Sequence, residues 1–249
     1  MSAALFLIDT ETAARARPGS EVALTGPEGR HAASVARVGV GERVDLGDGE
    51  GLVLSCVVVR VDGPDLLVAT VQEVTAVEPS SPRVVVVQAL PKGERGETAV
   101  QTLTEVGVDE IVPWKAERCV ARWVGDKAMR GRDKWAAVAR SSGKQSRRAR
   151  FPEVSPLAGS AAVESRIRRA VTAVMLHEEA KLPLHAVNLP ASGEVLVIVG
   201  PEGGISPAET TRFSEAGAVP VRLGPSVLRT STAGTVAAGI ILSRTARWS

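Results

Sequence analysis

At 249 residues and 44% apolar side chains, the chain is long enough for one large or two small domains with a sizeable core. Aromatics make up only 3%, with no Tyr, so stacking of bases on an aromatic platform cannot be its main mode of binding. The net charge of +2 hides an asymmetry: Lys115 to Arg150 carries twelve Lys/Arg against three Asp/Glu, a net +9 that leaves the remainder at −7.

Residues 1–77 read as a β-rich domain. Ala4 to Ile8 is a first strand, Arg30 to Val38 a short helix opened by His31, and Glu42 to Leu46 a second strand. Gly47-Asp48-Gly49-Glu50-Gly51 is a hairpin-type turn, and Leu52 to Val61 pairs with Leu66 to Val74 across Asp62-Gly63-Pro64. Short strands with tight glycine turns predict a small barrel. Residues 1–82 carry six basic against twelve acidic side chains, which argues against a phosphate grip over the whole surface of this domain. His31 reads as a capping or packing residue. Residues 78–82, Glu-Pro-Ser-Ser-Pro, form a linker whose two prolines forbid a continuous helix.

The second domain, 83–249, opens with the uninterrupted strand Arg83 to Leu90, as in a parallel sheet covered on both faces. The loop Pro91 to Gly96 leads into a helix from Glu97 that stops at Gly107, and Ile111-Val112-Pro113 starts the next strand, completing a βαβ unit. Lys127 to Ser142 is predicted helical, with Met129, Trp135, Ala136, Val138 and Ala139 toward the core. The basic block then runs through Gln145, Ser146, Arg147, Arg148 and Arg150. The amide and hydroxyl suit a base edge and the arginines suit phosphates, the alternative being a solvated charged face. Ala170 to Leu176 is another buried strand, ending in the polar triplet His177-Glu178-Glu179.

Val195 to Val199 is a fourth buried strand, broken by Gly200-Pro201-Glu202-Gly203-Gly204. Ser206, Pro207 and Glu209 give the next helix a capping box, and Gly217 a stop. A short strand, Val219 to Leu223, ends in Gly224-Pro225. A closing helix over Thr232 to Arg247 follows, with Ala233, Val236, Ala237, Ile240 and Ile241 as an apolar stripe. Two strands ending in Gly-Pro turns place two loops side by side at the carboxyl edge of one sheet, where open α/β sheets bind ligands. GPEGG taken alone is equally a tight turn. It is no phosphate loop, lacking both GxxxxGK[ST] and GxGxxG.

GPEGGxSxxE followed by LGPxxLRTxTA resembles the cofactor end of the SPOUT methyltransferases. Within them it resembles the family that methylates N3 of the uridine at position 1498 of 16S ribosomal RNA. The PKG loop, TEVGVDEIVP and Glu117-Arg118-Cys119-Val120 agree, and the N-terminal elements resemble that family's PUA-like RNA-binding domain. The resemblance implies an α/β fold: a trefoil-knotted SPOUT domain with a parallel sheet, preceded by a small PUA-like β-barrel. It implies S-adenosylmethionine as cofactor, 16S rRNA in the small ribosomal subunit as partner, and a homodimer. Cofactor contacts are then expected from Leu176, His177 and Glu178, from Val199, Gly200, Pro201, Glu202, Gly203 and Gly204, and from Leu223, Gly224, Pro225, Val227, Leu228, Thr230, Ser231, Thr232 and Ala233. RNA contacts are expected from Lys92, Arg118, Arg122, Gln145, Ser146, Arg147, Arg148 and Arg150, although Lys92 is equally a solvated lysine.

Two departures stand out. Lys144 and Ser231 each occupy a position where that family often has Glu, so an acid role is unavailable at Lys144, and Ser231 argues against an obligatory base at its position. For the chemistry, Arg229 is expected to polarise the uracil carbonyl, and Glu202 is the remaining carboxylate near it, expected to help order the loop. Competing readings are a non-catalytic RNA-binding protein and a knotted methyltransferase acting on tRNA. Cys56 and Cys119 follow no metal spacing and read as reduced thiols, and no metal site is expected. With no apolar run of membrane-spanning length, the chain reads as cytoplasmic.

Overall fold

The computed structural model describes residues 3–248, which divide into two compact units. The first comprises residues up to Pro79 together with Gly143–Phe151. Its strands are β1 (Ala4–Leu7), β2 (Glu21–Leu24), β3 (Arg43–Gly47), β4 (Leu52–Asp62) and β5 (Leu66–Ala76), in the sheet order β1-β3-β4-β5-β2. The outermost strands of that path both feed one core: Phe6 from β1 and Leu24 from β2 join Leu46, Leu54 and Leu67. Two elements escaped the sequence reading. Helix α1 (Thr10–Arg15) is capped by Asp9, whose carboxylate accepts the Thr12 N–H, and β2 is only four residues long. The stretch expected as one helix from Arg30 is α2 (Gly26–Arg30) continued by a π-helical turn, His31–Val35. The His31 ring packs edge-on against Phe6, a packing role as expected.

In the same unit Lys144 donates to both carboxylate oxygens of Glu28, at 2.9 and 2.8 Å, and lies over the Phe6 ring. Glu28 also accepts the Leu7 amide at 3.0 Å, so the lysine completes a local charge-assisted clasp.

The second unit, Ser80–Ser142 and Pro152–Ser249, is built on a parallel sheet. Its strands are β6 (Arg83–Ala89), β7 (Glu110–Lys115), β8 (Glu153–Val154), β9 (Ala158–Gly159), β10 (Thr172–Leu176), β11 (Glu194–Val199) and β12 (Val219–Val221). They run β12-β10-β11-β6-β7-β8, with β9 also on β7, and every ladder is parallel. Val84 to Val87 and Val195 to Ile198 are wholly buried, as strands covered on both faces require. The helices are α3 (Arg95–Val106), α4 (Asp126–Gln145), α5 (Ser160–Ile167), α6 (Pro207–Glu215) and α7 (Thr230–Leu242). Gly107, left-handed at φ 108°, terminates α3.

One core assignment fails. Met129 is 63% exposed, whereas Trp135 and Ala139 on the same helix are buried. Met129 falls on the outward side of the stripe set by Trp135 and Ala139, one residue off the face that i, i+4 spacing defines.

At the amino edge of the sheet, Arg166 forms a bidentate pair with Glu110 at 2.5 and 2.6 Å and reaches Glu194 at 2.9 and 2.8 Å. Arg83 adds an ion pair to Glu110 at 2.8 Å, and Arg247 pairs with Asp109. This edge is bolted by charge; the opposite edge carries the loops.

Candidate active site

In a parallel sheet all carboxyl ends lie on one side, so the loops after β6, β7, β10, β11 and β12 share one edge. The loop after β11 is the hub. At Gly200 an added Cβ would stand 2.8 Å from Ile205 Cγ1 and 3.3 Å from its backbone N, so any side chain there must displace Ile205. Gly204 takes φ +73°, and its N–H donates to Pro201 O at 2.9 Å.

Neighbouring elements grip this loop. Thr230, the first residue of α7, donates its hydroxyl to Gly200 O at 2.6 Å. Gln88, fully buried near the end of β6, donates to that hydroxyl at 3.1 Å and to Ala89 O at 3.1 Å. Its Oε1 is buried without a partner, 3.5 Å from where a side chain at Gly234 would begin. From the loop after β6, the Lys92 N–H and the Arg95 guanidinium donate to Glu202 Oε1 at 3.1 and 3.2 Å. From the loop after β7, Arg118 donates to Gly203 O at 3.1 Å.

The capping box at α6 is present and does more than cap. Glu209 Oε2 accepts from Ser206, while Oε1 accepts the Glu117 N–H at 2.9 Å and the Ser160 hydroxyl at 2.7 Å. The carboxylate therefore ties α6 to the loop after β7 and to the start of α5.

The electrostatics separate structural groups from open ones. Burial pushes the Glu202 pKa up, but hydrogen bonds from its own amide, Lys92 and Arg95 outweigh it and hold the carboxyl below its ordinary value. Glu202 is thus held as an anion by loop contacts to one of its two oxygens. By contrast, the backbone from Leu223 to Leu228 makes no internal hydrogen bond among the described residues. Arg229, the N-cap of α7, is exposed; its carbonyl accepts the Thr232 and Ala233 N–H groups, while its guanidinium has no partner among the described residues.

Residues 78–242 match the family model for an RNA methyltransferase domain, and residues 24–72 match the RNA methyltransferase PUA domain. A Mycobacterium bovis protein named ribosomal RNA small subunit methyltransferase E is 44% identical over 252 residues, covering 100% of this chain and 94% of its own. The chain belongs to that family. A Bacillus subtilis protein of the same name is 29% identical, over 89% of this chain and 90% of its own. The structure of a ribosomal RNA small subunit methyltransferase E from Neisseria gonorrhoeae, bound to S-adenosyl methionine, superposes with a TM-score of 0.83. It is 25% identical and covers 97% of this chain and 98% of its own. The protein is an RNA methyltransferase with a PUA domain and a parallel-sheet α/β methyltransferase domain.

In this RNA methyltransferase the residues expected at the cofactor fall into three neighbouring loops. Leu176, His177 and Glu178 end β10; His177 N–H donates to Val221 O at 2.9 Å, and its Nδ1 accepts the Glu179 N–H at 3.2 Å. Val199 to Gly204 follow β11. Leu223 to Ala233 follow β12 and enter α7, where Thr230 and Ser231 are buried.

The residues expected to touch RNA divide. Lys92, Arg118 and Arg122 lie in the second unit, whereas Gln145, Ser146, Arg147, Arg148 and Arg150 cluster with the first. Arg118 is engaged with Gly203 O, and Arg150 with Val77 O at 2.7 Å, so each holds backbone. Arg122 is exposed with no partner among the described residues. Sequence reasoning missed Gln88 and Ser160. Gln88 carried a signal, a single amide after four valines in a strand otherwise wholly apolar; Ser160 carried none. Among the described residues no cluster of metal-ligating side chains occurs, and no helix is long and apolar enough to cross a membrane.

Proposed function

We propose that this enzyme methylates N3 of the uridine at position 1498 of 16S rRNA in the small ribosomal subunit, using S-adenosylmethionine, in the cytoplasm and as a homodimer. The observation that carries the reading is the carboxyl-edge arrangement. A glycine turn at Gly200 is locked from β6, β7 and α7, beside a run, Leu223–Leu228, whose N–H and C=O groups are unspent. Those groups, with the apolar Leu176 and Leu223, suit an adenine edge and a methionine chain. No phosphate cradle is needed, because this cofactor has no phosphate. On this reading the path from β11 to α7 passes through a trefoil knot.

When bound, the cofactor supplies a methyl group already activated on a sulfonium. The chain must place uridine N3 in line with it and favour loss of the N3 proton to solvent water, since the neutral imide nitrogen has no available lone pair. Arg229 does the second job. Its unpaired guanidinium, at the amino end of α7, stabilises negative charge developing on a uracil carbonyl, and the helix dipole adds to it. Glu202 and Glu209 hold the loops. Val227, 81% exposed, and Val236, 37% exposed on the outer side of α7, are the apolar positions we assign to the dimer face.

The test is transfer of radiolabelled methyl from S-adenosylmethionine to unmodified small subunits, with the product nucleoside identified. 3-Methyluridine supports the reading, and label on tRNA alone overturns the substrate. Arg229→Ala should lower transfer by about 10²–10³-fold with near-normal cofactor affinity, and Arg229→Lys should restore part of it. A monomer by light scattering at micromolar concentration removes the dimer.

A further inference from the structure

Two cavities in the second unit meet at the same two residues. One, about 550 Å³, is lined by Lys115, Arg122, Ser160, Glu209 and Arg212 among others; the second, about 290 Å³, is lined by Trp123, Lys127 and Trp135 beside the Pro91–Gly96 loop. Ala121 and Arg122 line both, so together they form one groove along the loop between β7 and α4.

The chemistry of the groove changes along its length. In the larger cavity Glu209 is spent on Ser206, Glu117 and Ser160, and Ser160 in turn accepts the Trp114 indole N–H at 3.2 Å. Arg212 is paired with Glu164. Lys115 and Arg122 are exposed with no partner among the described residues, against one exposed lining carboxylate, Glu117, so this end keeps a net positive charge. At the other end Trp123 meets Trp135 edge-to-face at 5.1 Å. Both rings are seated on glycines: a Cβ at Gly131 would lie 2.5 Å from the Trp123 ring, and one at Gly96 would lie 2.8 Å from Trp135. Trp135 is buried, whereas Trp123 keeps part of its surface open. From Lys115 to Arg130 there are five Lys/Arg and two Asp/Glu. One cation pair at one end and a single propped indole at the other match a phosphodiester followed by a base.

We propose that this groove binds a single-stranded segment of the RNA substrate, with Lys115 and Arg122 on phosphodiesters and one base stacked on Trp123. Few aromatics are needed, because one base is read, not a run. The proposal rests on the protein being an rRNA methyltransferase, and it names where beyond the target uridine the strand is held. Val120, Val124 and Met129 are also exposed around this loop. The unpaired charge decides for RNA over a protein partner.

The experiment uses the full-length protein and small-subunit rRNA transcribed in vitro, with affinity measured from low to moderate salt. Lys115→Ala/Arg122→Ala should reduce the slope of log affinity against log salt by about 1.4, that is about 0.7 for each phosphate no longer neutralised. Trp123→Leu should weaken binding by roughly five- to a hundredfold without changing the slope, and Trp123→Phe should recover most of it. Cofactor titration reports folding independently, and each variant should bind S-adenosylmethionine as the wild type does. An unchanged slope and unchanged affinity with normal cofactor binding overturn the groove. So does dissociation of a wild-type dimer by these variants with RNA binding intact, since the face then belongs to a second copy. Wild-type protein that binds this RNA yet transfers no methyl to small subunits would instead sink the assigned reaction and leave the groove standing.

Discussion

Thr230→Val tests whether a hydroxyl relay sets the cofactor loop. Thr230 is 7% exposed, and its Oγ1 donates to Gly200 O at 2.6 Å while accepting from Gln88 Nε2 at 3.1 Å. Valine keeps the shape and removes both bonds. At about 0.5–1.5 kcal/mol for each neutral hydrogen bond, the loss is about 1–3 kcal/mol. Gln88→Leu differs in sign structure. It gives up two donations, to Ala89 O and Thr230, but also removes the partnerless Oε1, whose burial costs about 1–3 kcal/mol. Its net effect on stability should lie within about 1 kcal/mol of zero. In the double variant no amide is left unpaired, so the losses should fail to add by about 0.5–1.5 kcal/mol. Urea unfolding of the four proteins gives the coupling, and calorimetric titration with S-adenosylmethionine gives the consequence at the site. If the relay positions the loop for ligand, Thr230→Val weakens cofactor binding by about five- to 150-fold, following the same 1–3 kcal/mol. Additivity to within about 0.3 kcal/mol, or cofactor affinity untouched by Thr230→Val, would refute the relay.

Gly200→Ala forces a Cβ to 3.3 Å from the Ile205 backbone N, and overpacking of about 1–3 kcal/mol should appear as reduced cofactor affinity; equal affinity would mean that the turn yields. Because the folded pKa of Glu202 is depressed, its hold on the loop is complete above the unfolded carboxylate pKa and is released only as pH falls through the folded one. Cofactor affinity should therefore stay flat from neutral to alkaline pH, and Glu202→Gln should remove the acid decline without abolishing transfer. A neutral-pH limb in the rate profile that vanishes in Glu202→Gln would make Glu202 the base instead. At the other edge, burial raises the Glu110 pKa, but hydrogen bonds from Arg166 and Ser155 and the charges of Arg166 and Arg83 bring it below its usual range. Its stabilisation should be full above the unfolded pKa and lost as pH falls through the folded one, so Tm should drop on acidification. Glu110→Gln should cost about 3–5 kcal/mol at neutral pH and flatten that dependence; Tm curves that run parallel would show that Glu110 does not carry it.

What the sequence made legible follows from local chemistry. Four apolar runs identified the central strands because a parallel strand buried on both faces must be apolar throughout, and Ser206-Pro207-Ala208-Glu209 announced α6 through capping that acts within four residues. Gly200 and Glu202 could be marked as a loop by composition. The partners of Glu202, 110 and 107 residues away at Lys92 and Arg95, could not, because nothing in spacing encodes a contact made by strand order. Arg118 and Arg150 read as phosphate contacts since an arginine carries the same signal whether it meets a phosphate or a carbonyl. Their engagement with Gly203 O and Val77 O appears only in three dimensions. The reverse error is Lys144, which looks like part of a basic surface and is spent on Glu28.

The distinction between spent and unspent groups also bears on the chemistry. Of the two motif carboxylates, Glu209 has both oxygens occupied by Ser206, Glu117 and Ser160, and Glu202 is held by Lys92 and Arg95. For Glu202 those donors outweigh partial burial and keep the carboxyl below its ordinary value. Position 231 offers a hydroxyl, buried beside Thr230. Both motif carboxylates therefore serve the loops, and the proposed reaction is assigned no general base among them. Arg229, at the positive end of α7, is a cation with no partner among the described residues. On the proposed function, Arg229 would lower the barrier by stabilising the anion left when uridine N3 gives its proton to solvent water.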